Sequence, residues 1–273
     1  MPTPHPDETL DILLRGRLRL LQSRQGHRTS VDSLALAWFA GQLLAQRRPG
    51  LPPPQVLDLG AGAGMVALAL GLALPQVELI LVELQGGQAN RALRNVHLNG
   101  LAQRARVWQF DLAAAWPEPP PQVDAVLCNP PFRVPGTGVA PALEERRLAH
   151  VESSAPLTVF AQRAAQAMAP TAISAWVFPW ADRERLVQAL AKAGLHSRVC
   201  PLYHREGDAA PVRALVGGFW PSAGGADSPP LTFPSCLALH LASGLEDRYH
   251  PDLEAFIAQM PPPDPAVPPA KTP

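Results

Sequence analysis

From residue 55 onward, short apolar runs alternate with helical stretches. Residues 55–59, 77–82, 105–110 and 123–128 read as strands that are apolar on both faces. Between them, residues 65–74 are apolar throughout, the mark of a short buried helix. Residues 86–98 carry helical spacing and end on Asn99-Gly100, a helix C-cap pair. Strand–helix alternation with doubly buried strands predicts a parallel sheet covered on both faces. Further on, the pattern predicts helices at 155–168 and 182–193, a strand at 172–178, and two strands at 197–203 and 212–219. No helix separates that last pair, so it reads as a terminal antiparallel pair, with 237–241 as a further short strand.

Ahead of the sheet, residues 1–9 are proline-rich and read as loose. Residues 17–22 alternate, Gln25-Gly26 offers a turn, and 27–31 can return as the second strand of a hairpin. Arg15, Arg17 and Arg19 lie in a stretch without acids, so this hairpin is a candidate phosphate-contacting element. The bland alternative is a solvated edge whose arginines discourage aggregation. A helix follows over 34–46, for which Ser30 and Asp32 are capping residues, with a site-edge role as the alternative for Asp32. Three parts are expected: a hairpin and helix at 1–50, the sheet domain at 51–245, and an extension at 246–273 with a disordered Pro-rich tail.

The composition, 47% hydrophobic and 17% charged over 273 residues, supports a sizeable core. Formal net charge is zero, so no global field attracts nucleic acid and any RNA contact must come from local patches. Three widely spaced cysteines fit neither a disulfide framework nor a zinc site. The chain shows no signal-peptide layout and no membrane-length apolar run, so a cytoplasmic location is expected.

Candidate chemistry sits at the predicted strand ends. Gly60, Gly62 and Gly64 follow the first strand, where glycines let the backbone approach a ligand. Their spacing is G-x-G-x-G, and Met65 stands where a dinucleotide fingerprint wants Gly or Ala. Glu83 closes the second strand, 19 residues after Gly64, and can accept from ribose hydroxyls. Asp111 ends the third and can accept from an adenine amino group, with Leu112 packing on the ring. Asn129-Pro130-Pro131-Phe132 ends the fourth. Two prolines cannot continue a ladder, so this end is a rigid extended turn. An Asn oxygen and the Pro130 carbonyl can both accept from one planar amino group while Phe132 stacks on its ring. That arrangement suits methylation of an exocyclic amine.

Asp58-Leu59-Gly60-Ala61-Gly62-Ala63-Gly64 and the tetrad together resemble the class I S-adenosylmethionine-dependent methyltransferases. More closely, residues 29–37, Val82-Glu83-Leu84-Gln85, residues 94–101 and the tetrad resemble the bacterial tRNA1(Val) adenine-37 N6-methyltransferase family. The resemblance implies a Rossmann-like α/β fold, with a mostly parallel seven-stranded sheet, helices on both faces and a C-terminal antiparallel pair. It implies S-adenosylmethionine held by Asp58, Gly60, Gly62, Gly64, Glu83, Asp111, Leu112 and Asn129. It also implies catalysis by Asn129, Pro130 and Phe132, and an RNA substrate, tRNA, touching Pro131, Phe132 and the hairpin arginines. No metal is needed, because a sulfonium already carries a good leaving group. Neighbouring families with similar tetrads methylate guanine N2 or protein glutamine N5. An NAD-dependent oxidoreductase is the remote alternative, because it gives the tetrad no task.

Overall fold

A computed structural model describes residues 2–25, 28–116, 120–132, 156–221, 231–241 and 248–262. The long loop after the tetrad and the Pro-rich tail lie outside these residues.

The chain opens with a hairpin, β1 (Glu8–Leu13) and β2 (Leu18–Ser23), paired antiparallel from Glu8↔Ser23 to Leu13↔Leu18. This corrects the expected hairpin by one strand. Leu18–Ser23 is its second strand, the turn is 14–17, and Glu8 and Thr9 are not loose. Glu8 is buried, accepting from His5 N at 2.9 Å, Arg91 Nε at 3.0 Å and Arg94 Nη1 at 2.8 Å. Burial alone would raise its pKa, but these donors hold the carboxyl below its usual range.

The helix α1 (Val31–Leu44) follows, then β3 (Gln55–Leu59), α2 (Met65–Ala73), β4 (Glu78–Glu83), α3 (Gly86–Leu98), β5 (Ala105–Gln109) and β6 (Val123–Cys128). The second half comprises α4 (Leu157–Ala167), β7 (Met168–Pro179), α5 (Arg183–Lys192), β8 (His196–Arg205), β9 (Arg213–Phe219), β10 (Leu237–His240) and α6 (Pro251–Ala258). A single 3-10 turn, Trp180–Asp182, joins β7 to α5.

The sheet order is β10-β8-β9-β7-β6-β3-β4-β5. Pairing is parallel from β5 to β7, antiparallel where β9 meets β7 and β8, and parallel again between β8 and β10. The mostly parallel sheet and its antiparallel pair are as expected, and with β10 it has eight strands among the described residues, against the seven expected. One core packs α1, α2 and α6 with the hairpin leucines Leu14, Leu18 and Leu20. The other packs α4 and α5 on the opposite face, around Trp176 and Phe178. The helix α2 is buried at every position, as its continuous apolar run predicts.

Chain order reverses between β3 and β6. The chain goes outward through β4 and β5 on one side, and through β7 on the other. Leu59 and Cys128, the last residues of β3 and β6, are register partners. The glycine loop and the tetrad therefore leave the sheet side by side, at the switch point where open α/β sheets bind ligands.

Candidate functional site

A cavity of about 410 Å³ opens at this switch point. Its walls bring together Asp58, Gly60, Gly62, Glu83, Asp111, Leu112 and all four residues of the tetrad. Gly64 lies just beneath, at the N-cap of α2.

The glycine loop is fixed by backbone bonds. Gly60 N and Ala61 N both donate to Val82 O at 2.9 Å, tying the loop to β4. Gly62 has φ +56°, and a Cβ built there meets no atom within 4 Å because it would project into the open cleft. At Gly64, φ is +92° and a Cβ would sit 2.9 Å from Leu81 Cδ2. One glycine thus gives a ligand room and the other lets helix and strand close up.

Glu83 braces this loop. Its Oε2 accepts from Gly62 N at 2.9 Å and its Oε1 from Gln85 N at 2.8 Å. Burial raises its pKa, against these donors. Behind it, Asp58 is 2% exposed and accepts from Ala67 N at 3.2 Å. Burial first, and then the neighbouring Glu83 charge, push its pKa up to about 7. Cys128 is raised by the same burial and by Asp58. Asp111 is exposed on the cavity rim, and its Oδ1 accepts from Ala113 N at 2.8 Å, so it also shapes its own turn. Leu112 is buried beside it.

On the other side, Asn129 is half-buried after β6, and Pro130 is buried. The Phe132 ring stands edge-on to Phe178, with centroids 5.5 Å apart at 88°. The Arg213 guanidinium lies over Phe132 at 5.7 Å.

The structure places Asp32 in the lining, the alternative to a capping role, and adds residues that the sequence pattern did not single out. Arg213 Nε donates to Asp32 Oδ2 at 3.0 Å, and both line the cavity. The N-cap of α1 is Ser30, which makes no side-chain capping bond, and Asp32, in the first turn, lies at the site edge. Gln88, on the first turn of α3, is 5% exposed, and its Oε1 is buried in the cavity wall without a partner among the described residues. A buried amide oxygen left open in a cleft fits a polar ligand group that completes its bonding. A polar residue one turn after the strand-ending Glu83 was the available signal. Phe110, stacked on Trp116 at 5.0 Å, and Phe160, against Gly60, carried no local signal.

Asn95, fully buried on α3, links the hairpin to the site. Its Oδ1 accepts from Leu21 N at 2.7 Å, and its Nδ2 donates to Leu21 O at 3.1 Å and to Ala63 O at 2.9 Å. Asn99, one turn on, pairs likewise with the Arg19 backbone.

The structure does not bring the hairpin arginines to the cleft. Arg15 binds Glu254 on α6 through Nε at 2.9 Å and through Nη2. Arg17 donates to Met260 O, and the Arg19 backbone faces Asn99. No helix among the described residues is long and apolar enough to cross a membrane.

Residues 37–168 match the family model of the methyltransferase small domain. Over 96 residues the chain is 38% identical to the tRNA1(Val) (adenine(37)-N6)-methyltransferase of Yersinia pestis strain Pestoides F. The same identity holds for the protein of that name from Yersinia pseudotuberculosis serotype O:1b. The aligned segment spans 35% of this chain and 39% of each relative. The fold is shared with the crystal structure of a predicted O-methyltransferase from Agrobacterium tumefaciens. The TM-score is 0.60 at 20% identity, covering 84% of this chain and 96% of that one. The glycine loop and the tetrad thus both lie within the segment, residues 37–168, that matches the methyltransferase small domain, in a mostly parallel α/β fold shared with the Agrobacterium structure.

Proposed function

We propose that the protein transfers the methyl group of S-adenosylmethionine to an exocyclic amine, the N6 of an adenine in tRNA. One observation carries this reading. The tetrad and the glycine loop leave adjacent strands at the switch point and line a single cavity. The names of the Yersinia relatives support adenine in tRNA as the acceptor.

The residues present fit the cofactor. The open cleft above Gly62, the carboxylate of Glu83, the unpartnered oxygen of Gln88 and the rim carboxylate of Asp111 match a nucleoside with ribose hydroxyls and an amino group. When bound, S-adenosylmethionine supplies an electrophilic methyl group on a positively charged sulfur. The protein's part is position and hydrogen bonding. An aromatic amine is a weak nucleophile because its lone pair is delocalised into the ring. Asn129 Oδ1 and the Pro130 carbonyl each accept one N–H bond of the amine, which returns lone-pair density to nitrogen. The prolines hold both acceptors in a fixed turn, so little is reorganised on binding. Phe132, braced edge-on by Phe178, stacks on the base. The surplus proton leaves to water after transfer, so no general base is required.

The test is incubation of unmodified tRNA with methyl-labelled cofactor, followed by mass spectrometry of the nucleosides. N6-methyladenosine is expected. N2-methylguanosine, or label confined to protein glutamine, would refute the adenine assignment. Asn129→Ala should lower the single-turnover rate at least ~100-fold while cofactor binding persists. A near-parental rate would reduce the tetrad to a strand-ending turn.

A further inference from the structure

Beyond the cleft, aromatic rings and guanidiniums alternate along the carboxyl end of β7. Arg213 lies over Phe132 at 5.7 Å at the cavity rim. Phe132 meets Phe178, and the Arg185 guanidinium lies 5.7 Å from the Phe178 ring. Arg185 Nη1 also donates to Phe132 O at 3.4 Å, which ties this arginine to the tetrad backbone. One step further out, Arg183 stacks over Trp180 at 4.1 Å and donates to Trp180 O at 2.9 Å. Pro179 and Arg213 are register partners, and Trp180 N donates to Val212 O at 3.4 Å, so the strip is one continuous surface.

We infer that this strip, from Arg213 and Phe132 out to Trp180 and Arg183, is the track for single-stranded RNA flanking the target nucleotide. The inference rests on the acceptor being RNA. A base placed between Asn129 and Phe132 leaves its own phosphates at the cavity mouth, where Arg213 and Arg185 stand. The next base outward meets Trp180 and Arg183, an indole and a guanidinium already stacked. Both stack on any base, and guanidinium edges pair with phosphate. With zero net charge on the chain, such a local patch is what RNA attraction requires. The arginines are held in place. Arg213 is braced by Asp32, and Arg183 has Glu184 at 3.6 Å, whose side chain is 65% exposed and can swing away. The hairpin arginines singled out by sequence offer no comparable surface, since Arg15 and Arg17 are engaged by the C-terminal segment.

The probe is a fluorescein-labelled 12-nucleotide oligoadenylate, with binding read by anisotropy over a range of salt concentrations. Trp180→Ala combined with Arg183→Gln should weaken binding tenfold or more. Arg183→Gln alone should lower the log–log salt slope by about 0.7. Glu184→Gln, which removes the competing acid, should tighten binding, an outcome that a purely structural role does not give. Calorimetry with S-adenosylmethionine should give parental affinity for each variant, confirming the fold. Parental oligoadenylate affinity and slope in the double variant, with adenine methylation intact in the parent, would overturn the strip and leave the proposed function standing. A parent that binds cofactor but no RNA would overturn both. Label transferred to protein glutamine instead would reassign the surface to a protein acceptor.

Discussion

On the β3–β4–β5 side of the switch point, the cleft is walled by buried carboxylates that backbone N–H groups hold. On the β6–β7–β9 side it is walled by rings and guanidiniums, half-exposed and held by one another. Asp58 and Glu83 are 2% and 7% exposed, and both have raised pKa values. Asn129, Phe132, Arg185 and Arg213 all keep contact with solvent. Burying charge is costly unless each oxygen is satisfied, so the first side tolerates little change in its partners. Stacked rings and guanidiniums tolerate rotation and sliding, which suits a large substrate that must enter and leave. Perturbing the first side should therefore show in stability and cofactor affinity, and perturbing the second in acceptor binding and rate.

The sharpest break on the first side is at Asp58. The unfolded chain releases this proton near pH 4, whereas the folded chain releases it near pH 7. Between those values the folded state holds more protons, so stability falls as pH rises, and above pH 7 the loss is complete. Asp58→Asn removes the titration. Its stability relative to the parent should rise by on the order of 3 kcal/mol between pH 4.5 and 7.5, from the pKa difference. Guanidinium unfolding at the two pH values measures this. A constant difference would mean that Asp58 is ionised at low pH in the fold.

Glu83→Ala should weaken S-adenosylmethionine binding by about 1.5–3 kcal/mol, the worth of hydrogen bonds to a charged acceptor. The effect has two sources, since the variant loses the proposed ribose contact and also frees Gly62 N and Gln85 N. Glu83→Gln separates them, because it keeps one acceptor oxygen. Calorimetry should rank parent, Gln and Ala in that order, with acceptor binding unaffected.

Most of this first side was legible in the sequence. Apolar strands, the glycine spacing, and acids at strand ends are local signals. The second side was legible only at the tetrad, because its other parts come from far along the chain. Arg213 lies 181 residues from the Asp32 it braces against, and no local pattern links them. The hairpin was misplaced for a related reason. Glu8 reads as exposed until Arg91 and Arg94 enclose it. The turn uses Leu14 and Arg15 at positive φ, where turn chemistry favours Gly or Asn. Gln25-Gly26 looked the better turn on local grounds.

On the second side, Phe132→Ala should weaken oligoadenylate or tRNA binding by about 1–3 kcal/mol, the scale of one base stack. Cofactor affinity should hold. Phe132→Tyr keeps the ring and should stay near parental. If cofactor affinity falls with Phe132→Ala, the two sides are coupled through the cavity, and the division between them is less sharp than the geometry suggests.

The smallest effect belongs to neither side and tests whether the hairpin stands outside both. Arg15 binds Glu254 through two nitrogens, with the side chains 49% and 30% exposed. Solvent screens such a pair, so its loss costs about 0.2–1 kcal/mol. Arg15 lowers the Glu254 pKa, so the contribution is present above the ordinary carboxylate range and fades as pH falls through the depressed value. Arg15 also sits at φ +56°, a conformation unfavourable for any residue with a Cβ. Arg15→Gln removes the ion pair and keeps that strain. Arg15→Gly removes both but adds freedom to the unfolded chain. The Gln variant should thus lose up to ~1 kcal/mol at neutral pH and less in acid. The Gly variant should fall within ~1 kcal/mol of it, since relieved strain and added unfolded-state freedom oppose each other. Both should keep parental cofactor affinity and the parental salt slope for oligoadenylate. A lower slope in either variant would return the hairpin to the acceptor surface, which would then extend past the β7 strip and around the cleft.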